Sequence, residues 1–139
     1  MDSFALRLIA PYGVIFEGQV EQVTATSPVG EFGVLAQHVD FLSALVACPL
    51  VVKLPGTGYR YYAVPSGLAE VKNGKMTILV PQATPAEEID VEQAGAEVDD
   101  LRQKLHSLEP GGEEHAEVER ALALAQARWR AAQSITPRV

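Results

Sequence analysis

Up to about residue 88 apolar and polar residues alternate with a period close to two, and from residue 89 the apolar positions fall at spacings of three and four. A period of two sends successive side chains to opposite faces of a strand, whereas a period near 3.6 gathers them on one face of a helix. In the second part Val91, Ala94, Val98, Leu101, Leu105 and Leu108 form one stripe, and Val118, Leu122, Ala125, Trp129 and Ala132 form another. Pro110-Gly111-Gly112 stands between them, so the pattern predicts two amphipathic helices folded into an antiparallel hairpin.

The first part predicts about nine short strands. They cover 4–9, 14–17, 19–26, 31–35, 41–47, 50–54, 59–64, 67–72 and 75–80, each rich in Val, Ile, Leu, Tyr and Thr. Pro11-Tyr12-Gly13, Ser27-Pro28-Val29-Gly30, Pro55-Gly56-Thr57-Gly58 and Pro65-Ser66-Gly67 are turn signals, and Asn73-Gly74 is the strongest two-residue hairpin signal. Strands this close leave no room for crossover helices, so the sheet must be largely antiparallel. It must also close into a sandwich or barrel to cover its apolar side. Gly33, inside a Phe-Val-Leu run, marks a bulge or a close approach of backbones.

In the helical part Asp90 followed by Gln93 reads as an N-capping pair, with Ile89 placed to staple against Ala94. Acids lead and bases trail along each helix, as the helix dipole prefers. Gly95 either weakens the first turns or permits close packing. Each buried Val or Leu contributes about 1.5 to 3 kcal/mol, against an ordering cost of about 1.5 kcal/mol per residue, so a two-helix hairpin alone is near balance or below. It must lean on the strand-built body or on a partner. Leu122, Leu124 and Trp129 do not share one narrow seam, which predicts a second contact face on helix two.

Composition narrows the function. The 139 residues, 47% hydrophobic, suffice for one core plus an appendage. A net charge of -7 and a pI near 4.9 argue against nucleic acid, whose binders present a basic face. The acidity lies in the tail: residues 1–85 carry net -1 and residues 86–139 net -6. Cys48 is single, so an internal disulfide and a thiolate metal cluster are out of reach, and it reads as a buried small hydrophobe. No run approaches the roughly 20 apolar residues of a membrane-spanning helix, and no export signal opens the chain, so a soluble protein is expected. Glu31 and His38 lack a defined mutual geometry, and Glu87-Glu88 is a solvated pair. No nucleophile elbow, H-E-x-x-H element or phosphate-cradling loop is present, so no catalytic residue is assigned.

Four segments and His38, in order and covering almost the whole chain, carry a family resemblance. They are Phe16-Glu17-Gly18-Gln19-Val20, Gly30-Glu31-Phe32-Gly33-Val34-Leu35 with His38, Gly67 to Val71, and Ala86-Glu87-Glu88-Ile89-Asp90, set in the order of strands then helices. Together they resemble the epsilon subunit of bacterial F-type ATP synthases. The resemblance implies an α+β fold, with an N-terminal antiparallel β-sandwich at 1–86 followed by an antiparallel α-helical hairpin at 87–139. It also implies a non-catalytic central-stalk subunit coupling proton-driven rotation to ATP synthesis, peripheral to the cytoplasmic face of the bacterial inner membrane. Its partners would be the gamma subunit, the c-ring and the alpha and beta subunits.

By the same resemblance Glu31 and His38 would lie on the c-ring side. Arg120, Arg128, Trp129 and Arg130 would face gamma, alpha and beta when the hairpin extends to restrain ATP hydrolysis. Relatives that bind ATP do so through an Ile-Asp-x-x-Arg-Ala element. Here it reads Ile89-Asp90-Val91-Glu92-Gln93-Ala94, so Gln93 replaces the guanidinium that would pair with phosphate, and Gln126 stands where another base would help. Ile89, Asp90 and Arg130 remain the candidates for an ATP site, and the expectation is weak or absent nucleotide binding and no cofactor.

Overall fold

The computed structural model describes residues 2–135. Two five-stranded sheets face each other. Sheet A orders β2 (Gly13–Val20), β1 (Phe4–Ala10), β9 (Lys75–Leu79), β8 (Gly67–Lys72) and β5 (Phe41–Leu45). Sheet B orders β10 (Thr84–Pro85), β7 (Tyr59–Val64), β6 (Cys48–Lys53), β3 (Gln22–Ser27) and β4 (Gly30–Leu35). A 3-10 turn at Ala86–Glu88 leads to α1 (Val91–His106) and α2 (Glu113–Ile135). The α+β sandwich-plus-hairpin expectation therefore holds.

The period-two pattern is why the sheets close. Leu6, Leu8, Leu50, Val52, Met76 and Ile78, alternate members of their strands, are all at most 1% exposed and form the core between the sheets. Asn73 and Gly74 both take positive φ (54° and 74°), as the two-residue turn joining β8 to β9 demands. All the strand pairs are antiparallel except β1 with β9, which run parallel.

Two expectations need correction. The first concerns the β2 region, where the chain does not break at Gly18. Strand β2 runs on to Val20, and the crossing from sheet A to sheet B is made at Glu21. Glu21 is buried, its N–H donates to the Lys53 carbonyl at 2.8 Å, and its carboxylate lies 3.7 Å from the partly exposed Lys53 Nζ, so contacts to Lys53 rather than a turn residue accompany the corner. The second concerns Gly33, which pairs in register with Thr24, with no bulge between β3 and β4. The bulge lies instead at Ile15 of β2, opposite the Leu8–Ile9 step of β1, and the close neighbour of Gly33 is the Gln22 side-chain amide, 3.3 Å from where a Cβ would stand.

Gly67 supports a stronger statement. A Cβ there would meet the Leu79 carbonyl oxygen at 2.8 Å and Val80 Cγ1 at 3.0 Å, and backbone oxygen in a paired strand cannot step aside. Gly67→Ala is expected to cost about 2 kcal/mol by overpacking. For a domain of this size that lowers the melting temperature by about 8–16 °C in a thermal scan. An unchanged melting curve would contradict the packing described.

Helix α1 packs on α2. Helix α2 also packs on β6, β7 and the 3-10 turn, which is the second contact face anticipated for it. Ala94 and Val98 of α1 and Val118, Ala125, Ala127, Ala131 and Ala132 of α2 are buried. The seam against the sandwich gathers Ala63, Ala86, Ile89, Ala94, Ala131 and Ala132, with Tyr61, Val91 and Trp129 partly buried around it. Alanines dominate it, so the two bodies approach closely but bury little apolar area per residue.

Candidate functional site

The outer face of sheet A presents two contrasting rows. The pairings Ala44–Leu68, Leu68–Leu79, Ile9–Leu79 and Ile9–Val14 align one apolar row across all five strands. Leu68, Leu79 and Val14 stay 42%, 47% and 51% exposed, too open for a finished core. The next row reads Leu42, Glu70, Thr77, Arg7 and Glu17, with Arg7 Nε 2.7 Å from the Glu17 carboxylate. An exposed apolar row of this length beside a largely polar, ion-paired row makes this face a candidate interaction surface. Each row consists of residues adjacent only across strands, so the chain sequence gives no direct sign of it.

The opposite sheet is the one that carries the hairpin. Its outer face is covered by α2 over β6 and β7, and beside that contact a cavity of about 290 Å³ opens between β3, β4, β6 and the last turns of α2. Glu31, near the start of β4, and Arg130 of α2 both line it. Cys48 lies close by at 1% exposure, in line with its reading as a buried small hydrophobe. Burial pushes its thiol up, while hydrogen bonding with Thr26 and the Arg130 charge pull the other way.

His38 lies in the loop beyond the far end of β4 from Glu31. Its Nδ1 is 2.7 Å from the Val39 carbonyl, and its ring centroid is 5.0 Å from that of Phe41, which in turn meets Phe32 edge-on at 5.5 Å. Glu31 and His38 are thus not brought together. Val39, at 75% exposure, is the apolar tip of the His38 loop.

On the hairpin, Asp90 accepts hydrogen bonds from the N–H groups of Glu92 (3.0 Å) and Gln93 (3.1 Å), so its carboxylate caps α1. Asp90→Ala is expected to cost about 1 kcal/mol in the hairpin and to fray the first turn of α1, read by hydrogen exchange at residues 91–94. Full protection in that variant would deny the cap its role. Ile89 is buried in the seam. Arg130 lines the Glu31 cavity rather than the start of α1. Trp129 lies over Gly95, its Nε1 3.1 Å from where a Cβ would stand, which answers the choice posed by that glycine in favour of close packing. Arg120 is exposed and Arg128 half-buried. Among the described residues no group of three or more His, Cys, Asp or Glu could hold a metal ion, and no helix is long and apolar enough to cross a membrane.

A two-sheet sandwich with an exposed apolar row and a thinly seated helical hairpin has the make-up of a small binding module. Residues 3–86 match the family model for the ATP synthase Delta/Epsilon chain β-sandwich domain. The ATP synthase epsilon chain of Nitratidesulfovibrio vulgaris (strain DP4) is 37% identical over 128 residues, 92% of this chain and 94% of that one. That of Geotalea uraniireducens (strain Rf4) is 34% identical over 131 residues, 94% of each. Among solved structures, a chain in the Euglena gracilis mitochondrial ATP synthase (OSCP/F1/c-ring, rotational state 1) superposes with a TM-score of 0.80 at 28% identity. The match covers 90% of this chain and 78% of that one. The chain belongs to the ATP synthase epsilon-chain family, and it is a non-catalytic subunit of that kind rather than an enzyme in its own right.

Proposed function

We propose that this chain is a central-stalk subunit of a proton-transporting rotary ATP synthase, seated on the gamma subunit through the outer face of sheet A. The observation that carries this reading is the apolar row Ala44, Leu68, Leu79, Ile9 and Val14, left open on one sheet while α2 lies on the other. The c-ring would meet the loop that carries His38 and Val39, whereas Glu31 lies beside the hairpin. In this role the subunit transmits torque and sits peripherally on the cytoplasmic face of a bacterial inner membrane. The similarity to a chain in an F1/c-ring assembly supports the arrangement.

The hairpin restrains wasteful ATP hydrolysis in the same reading. Its alanine seam and near-balanced energetics suit an arm that leaves the sandwich and extends along gamma toward alpha and beta, with Arg120 and Arg128 reaching their acidic surfaces. Nucleotide binding by the hairpin would be weak or absent in this reading, because Gln93 has no charge for phosphate and Asp90 is engaged as a cap. The test is ATP hydrolysis by the assembled complex with and without residues 89–139. Removal is expected to raise hydrolysis, and an unchanged rate would refute the restraint. Failure of residues 1–88 to co-purify with gamma would remove the stalk assignment itself.

A further inference from the structure

The cavity beside α2 is lined by charges of opposite sign from two different elements. Glu31 stands on the β4 wall and Arg130 on the α2 wall, with Thr24 and Val51 on the sheet side and Gln133 and Ser134 on the helix side. Both charged residues are exposed, and the space between the two walls is large enough to hold water. Both charges also act on the nearby Cys48 thiol, in opposite directions.

The surroundings give this pair its weight. The tail carries net -6 and the body net -1, so seating the hairpin brings together two negatively charged bodies. The alanine seam offers little apolar area to offset that. A guanidinium on α2 and a carboxylate on β4 that line one cavity supply attraction where the net charge of the two bodies repels.

We propose that Glu31 and Arg130 form a water-spaced electrostatic latch that holds the end of α2 on sheet B, so that release of the hairpin requires these two charges to separate. The latch rests on the reading of the hairpin as a releasable arm and names the contact that sets its resting position. Glu31 is a positioning residue here, acting through α2 rather than on any substrate.

A charge-swap cycle in the full chain tests it: Glu31→Arg, Arg130→Glu and the two combined, followed by hydrogen exchange at the α2 amides of residues 125–134 in low salt. Each single variant is expected to speed exchange about three- to tenfold, and the combined variant to return it to within about twofold of the parent. The single-variant effects should shrink in 1 M salt, where the screening length falls to about 3 Å. Amides of β1 and β9 report that the sandwich stays intact. A glutamate at position 130 also opposes the helix dipole, but that penalty would persist in the combined variant, so restoration separates the two causes. Parent-like exchange in both single variants, or additive loosening in the combined one, overturns the latch. Restoration of α2 in a complex whose hydrolysis ignores residues 89–139 keeps the latch and removes the regulatory reading instead.

Discussion

Replacing Leu79 by glutamate is expected to weaken binding to the gamma subunit by about 100-fold or more while the chain stays folded. Leu79 is the middle member of the apolar row on sheet A, paired with Leu68 on one side and Ile9 on the other. At 47% exposure it contributes little to the core, so the substitution should change stability by no more than about 0.5 kcal/mol. In a complex the same position would be desolvated. A carboxylate buried there without a partner costs about 3 kcal/mol or more, and 1.4 kcal/mol is a factor of about ten in affinity. Arg7 lies in the neighbouring row and its Nε is engaged by Glu17. Leu79→Ala should show a smaller loss, because it removes area without adding a charge. Titration of gamma with each variant checks the series. Parent-like affinity for Leu79→Glu would take sheet A out of the interface.

How much of this could be read beforehand depended on the range of the interaction. Asn73-Gly74, the Asp90 cap and the alternation in β6 are decided by a few neighbouring residues, and each lies where the sequence pattern put it. The corner at Glu21 was hidden because no turn residue makes it. It is accompanied by contacts to Lys53, and a buried carboxylate looks like any other acid until its partner is found. The parallel pairing of β1 with β9 and the apolar row of sheet A arise from strand register across the whole sandwich. Glu31 and Arg130 are 99 positions apart and come together only through the docking of α2. Gly33 misled because glycine in a strand can mark a bulge or simply leave room for a neighbouring side chain, here Gln22.

Trp129→Ala is expected to open the hairpin of the isolated chain while the sandwich keeps its stability. Trp129 is the largest group around a seam otherwise built from Ala63, Ala86, Ala131 and Ala132, whose methyl groups contribute only about 0.8 kcal/mol each. The indole also closes the space over Gly95 and so ties α1 to α2. Full burial of a Trp is worth about 3–5 kcal/mol on truncation, so a half-buried one should be worth about 2 kcal/mol, comparable to all the margin such a hairpin has. Amides of α1 should lose protection about 30-fold, by the same 1.4 kcal/mol per decade, while β1, β6 and β9 stay protected. Trp129→Phe should recover part of it. In the assembled complex an arm freed from its seat spends more time extended, so hydrolysis should fall below the parent rate. A rise instead would mean that Trp129 is needed in the extended state, as a contact with gamma, alpha or beta that the alanine removes along with the seat.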